Sequence, residues 1–133
     1  MKHRKQLLPL AAALGTALAV MSCSSVPDAS ALPPEMSAIE LSQKGQEALD
    51  RNKYAAARVY YQTIIDRYGT DNSLLTGAEF EIAHIFVKQK KWDEARPMLE
   101  AIIARYESAG GAALPPEYLV LARNDLAKIP LDQ

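Results

Sequence analysis

Apolar residues recur at spacings of three and four along the chain from about residue 37 onward, which is the period of an amphipathic α-helix. The pattern predicts an all-α protein with five helices. They run from about residue 34 or 37 to 51, from 55 to 68, from a turn at 69–73 to 89, from 93 to 106, and from the prolines at 115–116 to just before Pro130. The second helix shows the pattern most clearly, with apolar positions Ala57, Tyr60, Tyr61, Ile64, Ile65 and Tyr68.

Residues 45–69 match residues 83–107 at a constant offset and without gaps. A repeat of this length, made of two short helices, is typical of stacked helical hairpins, which cannot bury their apolar faces without neighbours. Tyr54 corresponds to Trp92, Tyr61 to Leu99, and the remaining matches are identities: Ala57 with Ala95, Arg58 with Arg96, Ile64 and Ile65 with Ile102 and Ile103, Arg67 with Arg105, and Tyr68 with Tyr106.

The matched positions resemble the tetratricopeptide repeat (TPR) family. Each unit of that family has a small residue in its first helix, an aromatic residue at the inter-helix turn, an alanine three residues later, and a large apolar residue further along. These roles fall to Gly45, Tyr54, Ala57 and Tyr61, and then to Ala83, Trp92, Ala95 and Leu99. The shared position of the two aromatic residues favours packing between hairpins over ligand stacking.

The resemblance implies an α-solenoid fragment of two antiparallel helical hairpins, at residues 35–69 and 70–107. Residues 108–133 then form a Gly/Ala loop and a last helix, which either caps the second repeat or is half of a third. Two repeats are fewer than the three or so that a stable array needs. The last helix, self-association or a partner is therefore expected to complete the stack.

In this family the first helices of successive repeats line a concave face that holds a peptide or a helix of a partner. The resemblance places nine residues on that face: Ile39, Ser42, Gln46, Leu49, Asp50, Phe80, His84, Val87 and Lys88. The alternative for each apolar member is ordinary packing between helices. Recognition of a free C-terminus is disfavoured, because Ser42, Gln43 and Gln46 stand where other family members carry their carboxylate-clamping residues.

The N-terminus has the pattern of an export signal over residues 1–22. An uncharged apolar stretch at 7–21 follows the basic residues Lys2, Arg4 and Lys5. It is shorter than the roughly 20 apolar residues that a transmembrane helix needs. Residues 20–23, ending in Cys23, resemble the lipobox of bacterial lipoproteins. This resemblance implies that Cys23 carries acyl chains, which anchor the protein stably to a membrane.

The alternative is that Cys23 is incidental and an ordinary signal peptidase cuts after Ala19 or Ala31. In that case the protein is secreted or periplasmic. If Cys23 is acylated, Ser24 carries no inner-membrane retention signal, so the outer membrane facing the periplasm is expected. Residues 23–34 are rich in Ser, Ala and Pro and are predicted to form a flexible tether.

Charge and composition argue against several kinds of function. The chain has 15 basic and 16 acidic residues, and without the three basic residues of the signal the balance is 12 against 16, a net charge of −4. A broad nucleic-acid surface needs clustered Lys and Arg instead. After the signal, His84 is the single histidine and Cys23 the single cysteine, so we expect no metal site, no cofactor and no catalytic residue.

The sequence therefore predicts a non-enzymatic, membrane-anchored module that binds a peptide or helix of an envelope protein. One alternative is a subunit of an outer-membrane assembly or envelope-organising complex, since lipoproteins of that kind carry similar repeats. A second alternative is an accessory component of a solute transporter, which would require a closed pocket that two hairpins scarcely offer.

Overall fold

A computed structural model describes residues 25–132. Within that range the chain forms five α-helices and no strand: α1 at Ala38–Asp50, α2 at Tyr54–Tyr68, α3 at Asn72–Lys88, α4 at Trp92–Glu107 and α5 at Pro116–Leu126. Short 3-10 helices occupy Ala29–Ala31 and Gly111–Ala113. The predicted all-α class is confirmed for this part of the chain. The predicted signal peptide and Cys23 lie outside the described residues.

Side-chain caps fix where two of the helices begin. The Ser37 hydroxyl accepts a hydrogen bond from the Glu40 amide, and the Glu40 carboxylate accepts one from the Ser37 amide at 2.8 Å, which completes a capping box. The Asp71 carboxylate accepts hydrogen bonds from the amides of Ser73 and Leu74, so α3 begins at Asn72. These caps satisfy amides that would otherwise lack partners at a helix start.

The turns that join α1 to α2 and α3 to α4 have the same backbone geometry at equivalent positions of the sequence repeat. Asn52 and Lys90 adopt left-handed conformations with φ of 57° and 56°. In the first turn the Lys53 amide donates to the Ala48 carbonyl at 2.8 Å, and in the second the Lys91 amide donates to the Phe86 carbonyl at 2.9 Å. Each turn is thus a Schellman motif, and the sequence repeat is also a repeat of backbone structure.

Each helix packs against the next one along the chain, and α3 also contacts α1 and α5. The buried side chains form two clusters that meet at α3. The first comprises Leu41, Ala48, Leu49, Ala56, Ala57, Tyr61, Ile64, Ala78, Ile82 and Ile85, and the second comprises Phe80, Ala83, Val87, Ala95, Leu99, Ile102, Ala122 and Ile129. Tyr54 and Trp92, the first residues of α2 and α4, are partly buried against the first and second cluster respectively.

The small and large residues of the repeat occupy the core as complementary partners. A Cβ atom added at Gly45 would lie 2.7 Å from a ring carbon of Tyr61, which is 2% exposed. The equivalent residues of the second repeat, Ala83 and Leu99, are both fully buried. Glycine therefore accompanies the larger tyrosine, and alanine accompanies the smaller leucine.

The predicted tether, residues 23–34, differs from expectation over its described part. Instead of remaining extended and unpacked, it forms a short 3-10 helix, and Leu32 packs on the first cluster. The Arg67 guanidinium donates hydrogen bonds to the carbonyls of Leu32 at 3.0 Å and Pro33 at 2.7 Å. The prediction of a tether rested on composition alone. Composition does not reveal that the Arg67 side chain, from a distant part of the chain, donates hydrogen bonds to this segment.

The contact between Gly45 and Tyr61 predicts that substitutions at these two positions have non-additive effects on the free energy of unfolding. Gly45→Ala should lower the free energy of unfolding by about 1–3 kcal/mol, because the added methyl overpacks a buried ring. Tyr61→Leu alone should be destabilising because it leaves a cavity. The double variant reproduces the residue pair of the second repeat, so it should be more stable than the sum of the single effects by about 1 kcal/mol or more in urea unfolding.

Gly110→Ala is the matched control, because a Cβ atom there would meet nothing within 4 Å and the backbone is right-handed. Its stability should change little. Additive effects of Gly45→Ala and Tyr61→Leu would contradict the equivalence of the two pairs.

Candidate functional site

A polar cleft of about 500 Å³ lies where the C-terminal part of α1 faces α3 and α5. Six of the nine residues predicted for the concave face line it: Gln46, Leu49, Asp50, Phe80, His84 and Lys88. Its remaining lining residues are Asn52, Glu81, Leu121, Asn124, Asp125 and Lys128. The cleft is thus lined by residues of α1 and α3 together with residues of the C-terminal segment that includes α5.

The other three predicted residues lie elsewhere. Ile39 is 71% exposed near the start of α1 and does not line the cleft. Ser42 lines a smaller pocket of about 80 Å³ between α1, α2, α3 and α5, which shares Glu81 with the cleft. Val87 is buried in the second cluster, which is the packing alternative that the sequence left open.

Helix α5 contributes a wall of the cleft that the sequence analysis did not assign. Leu121, Asn124, Asp125 and Lys128 follow one another at helical spacing, and all four line the cleft. The sequence predicted that this segment either caps the second repeat or is half of a third, and none of its residues was placed on the concave face. The spacing of three and four was visible in the sequence, but it did not show that this helix side faces α1 and α3.

Asp125 is the centre of a charged network on that wall. Its carboxylate, 3% exposed, lies 2.5 Å from His84 Nδ1 and accepts a hydrogen bond from Lys128 Nζ at 2.6 Å. Burial alone would raise the pKa of Asp125, but the hydrogen bonds from His84 and Lys128 outweigh it and the pKa is lowered. Because the carboxylate is ionised, His84 carries a proton on Nδ1 and donates to it.

The imidazole of His84 is held from a second side as well. The ring of Phe80, one helical turn earlier on α3, stacks on it with centroids 5.7 Å apart. Within residues 25–132, Nδ1 is bonded to Asp125 and Nε2 has no hydrogen-bond partner. The ring is therefore fixed in the cleft with one nitrogen free for a ligand.

Glu81 lies beside this network without a hydrogen bond of its own among the described residues. Burial raises the pKa of Glu81, the positive charge of His84 opposes the shift, and the negative charge of Asp125 adds to it. Lys88, at the end of α3, is exposed and forms no ion pair with residues 25–132. The cleft thus presents one carboxylate and one ammonium group that form no ion pair within the described residues.

Among residues 25–132, no group of three His, Cys, Asp or Glu side chains is arranged to hold a metal ion. In the same range, no helix is long and apolar enough to cross a membrane.

Comparison with known proteins finds a relative that matches almost the whole of this chain. An uncharacterized protein of Treponema pallidum (strain Nichols) is 38% identical over 130 residues, which is 97% of this chain and 52% of that protein. The chain therefore spans about half the length of the curated relative it matches. No family model matches the chain, and no solved structure matches it.

The raised pKa of Glu81 predicts a gain in stability when its charge is removed. The folded state favours the protonated form of Glu81, so an ionised Glu81 lowers the stability of the fold at pH 7. This loss of stability disappears as the pH falls through the pKa of Glu81 in the folded state toward its ordinary value of 4.5. Glu81→Gln should therefore be more stable than wild type at pH 7 and equal to it near pH 4. Glu35→Gln, at an exposed site, is the control and should change stability little at pH 7.

Removing the charge of Asp125 should change stability in the opposite direction, because the pKa of Asp125 is lowered from its ordinary value of 3.8. The stabilisation that it contributes is present above that pH and is lost as the pH falls below it. Asp125→Asn should cost about 1–3 kcal/mol at pH 7, and the deficit should shrink below pH 3.8. Thermal unfolding between pH 3 and pH 8 measures both effects. If Glu81→Gln and Asp125→Asn both raised or both lowered the stability at pH 7, the assigned network would be refuted.

Proposed function

We propose that the chain is a non-enzymatic interaction module whose cleft binds a peptide or a helix of a partner protein. The observation that carries this proposal is the cleft itself, which α1, α3 and α5 line together. It joins apolar contacts from Leu49, Phe80 and Leu121 with charged groups that lack partners. A binding surface with a few polar groups among apolar ones suits a peptide.

We infer that the architecture is of the TPR type, with two hairpins and a last helix that completes the concave wall. Three features support this: the Schellman turns at equivalent positions of the repeat, the buried small residues Gly45 and Ala83, and the aromatic first residues of α2 and α4. The last helix then acts both as a cap and as a binding wall. Its contacts with α3 and α4 cover the second cluster.

We further propose that Cys23 is acylated and that the module is held at the periplasmic face of the outer membrane. The position of the cysteine directly after the apolar stretch supports this. A partner in an outer-membrane assembly or envelope-organising complex fits such a location.

Site-specific photo-crosslinking in cells tests the binding role. A photoreactive residue at Gln46 on α1 and one at Asn124 on α5 should each capture the same partner, because both line the cleft. One at Glu100, which is exposed on α4 outside the cleft, should not.

A matched pair of variants separates the cleft from the surrounding surface. Leu121→Asp places a charge on the apolar part of the cleft and should abolish both crosslinks. Val120→Asp, at a neighbouring residue that is more exposed and outside the cleft, should leave them unchanged. Different products from the two cleft positions, or equal loss in both variants, would contradict the proposal.

A further inference from the structure

Helix α3 borders a second concavity that differs from the cleft in its chemistry. This groove has a volume of about 680 Å³ and lies between α2, α3 and α4, with the N-terminal segment along one side. It is lined by Val26, Ala29, Ala55, Arg58, Val59, Gln62, Ile65, Glu79, Ile82, Phe86 and Met98. None of these residues lines the cleft, so the two concavities are separate sites.

The lining of the groove is mainly apolar. Ile82 belongs to the first buried cluster, and Ile65, Phe86 and Met98 are partly buried against the clusters. The N-terminal segment adds Val26, whose side chain is 52% exposed. Concave apolar surface of this kind is favourable to cover and is characteristic of ligand sites.

One cation in the groove lacks a counter-ion. The guanidinium of Arg58 lies 5.2 Å from the centre of the Phe86 ring, and its Nε is buried without a hydrogen-bond partner. A buried donor without an acceptor costs free energy that an anion would recover. Because guanidinium groups bind carboxylates through paired N–H donors, Arg58 favours a ligand that brings one.

The other polar side chains of the groove are already engaged. The Glu79 carboxylate accepts a hydrogen bond from Arg105 at 2.6 Å, and the Gln62 amide donates to Asp66 at 2.9 Å. Among the described residues of the groove, Arg58 is therefore the charge without an ion pair. The groove combines an apolar channel with one uncompensated positive charge at its α2 side.

We propose that this groove binds a small amphiphile with a carboxylate head group, of the fatty-acid class. The apolar chain lies along Ile65, Ile82 and Met98, and the head group accepts hydrogen bonds from Arg58. Charge complementarity selects the head group, and burial of the methylene groups of the chain supplies the affinity. This site is independent of the peptide cleft, since it uses another side of α3.

Methyl NMR on the full chain tests the proposal with dodecanoate below its micellar concentration as the probe. The methyl signals of Ile65, Ile82 and Met98 should shift and saturate. Those of Ile102 and Ile129, which are buried away from the groove, should not. Arg58→Gln should weaken binding roughly tenfold or more, as expected for loss of a charge-assisted hydrogen bond. Arg123→Gln, at an exposed arginine of α5, is the matched control and should not.

A second test compares ligands with different head groups on the wild-type chain, so it does not depend on whether the Arg58 variants fold. On the wild-type chain, dodecanol and dodecyltrimethylammonium should bind more weakly than dodecanoate. Arg58→Lys keeps the charge, so it should retain part of the affinity for dodecanoate that Arg58→Gln loses. Absence of saturable shifts, equal binding of all three amphiphiles, or shifts confined to the cleft would overturn the proposal. Binding of an acidic apolar peptide but not of dodecanoate would also overturn it, and would assign the groove to a protein partner.

Discussion

The structure depends on the burial of α3, which carries apolar residues over most of its circumference. Eight of its 17 residues are buried, and its neighbours are α1, α2, α4 and α5. A helix with so wide an apolar surface is stable in water when other helices surround it. Both buried clusters include residues of α3, and both concavities lie against it. The polar cleft and the apolar groove are therefore bounded by different sides of the same buried helix.

The repeated Schellman turns close the α1–α2 and α3–α4 hairpins with the same backbone geometry. A left-handed residue other than glycine costs about 1–2 kcal/mol, which the paired backbone hydrogen bonds of each turn offset. Asn52 is a common residue for this conformation, whereas Lys90 is not. The second turn therefore relies on its backbone contacts and on Trp92, which packs against the second cluster directly after it.

Local patterns in the sequence predicted the helices and the small and large residues of the repeat. The resemblance to the TPR family, rather than the pattern itself, placed nine residues on a concave face, and six of these line the cleft. The sequence did not reveal contacts between distant residues. His84 and Asp125 are 41 positions apart, and Arg67 reaches back 34 and 35 positions to the N-terminal segment. Such pairs depend on how the helices stack, which composition and spacing do not specify.

Native-state hydrogen exchange tests the central position of α3 most directly. If α3 holds the two hairpins together, its amides around Ala83 and Ile85 should exchange only through global unfolding, with a free energy equal to that from urea denaturation. The amides of α1 and α5 should exchange through smaller openings, because each of these helices lies at one side of the stack. Faster exchange in α3 than in α1 and α5 would contradict this account of the fold.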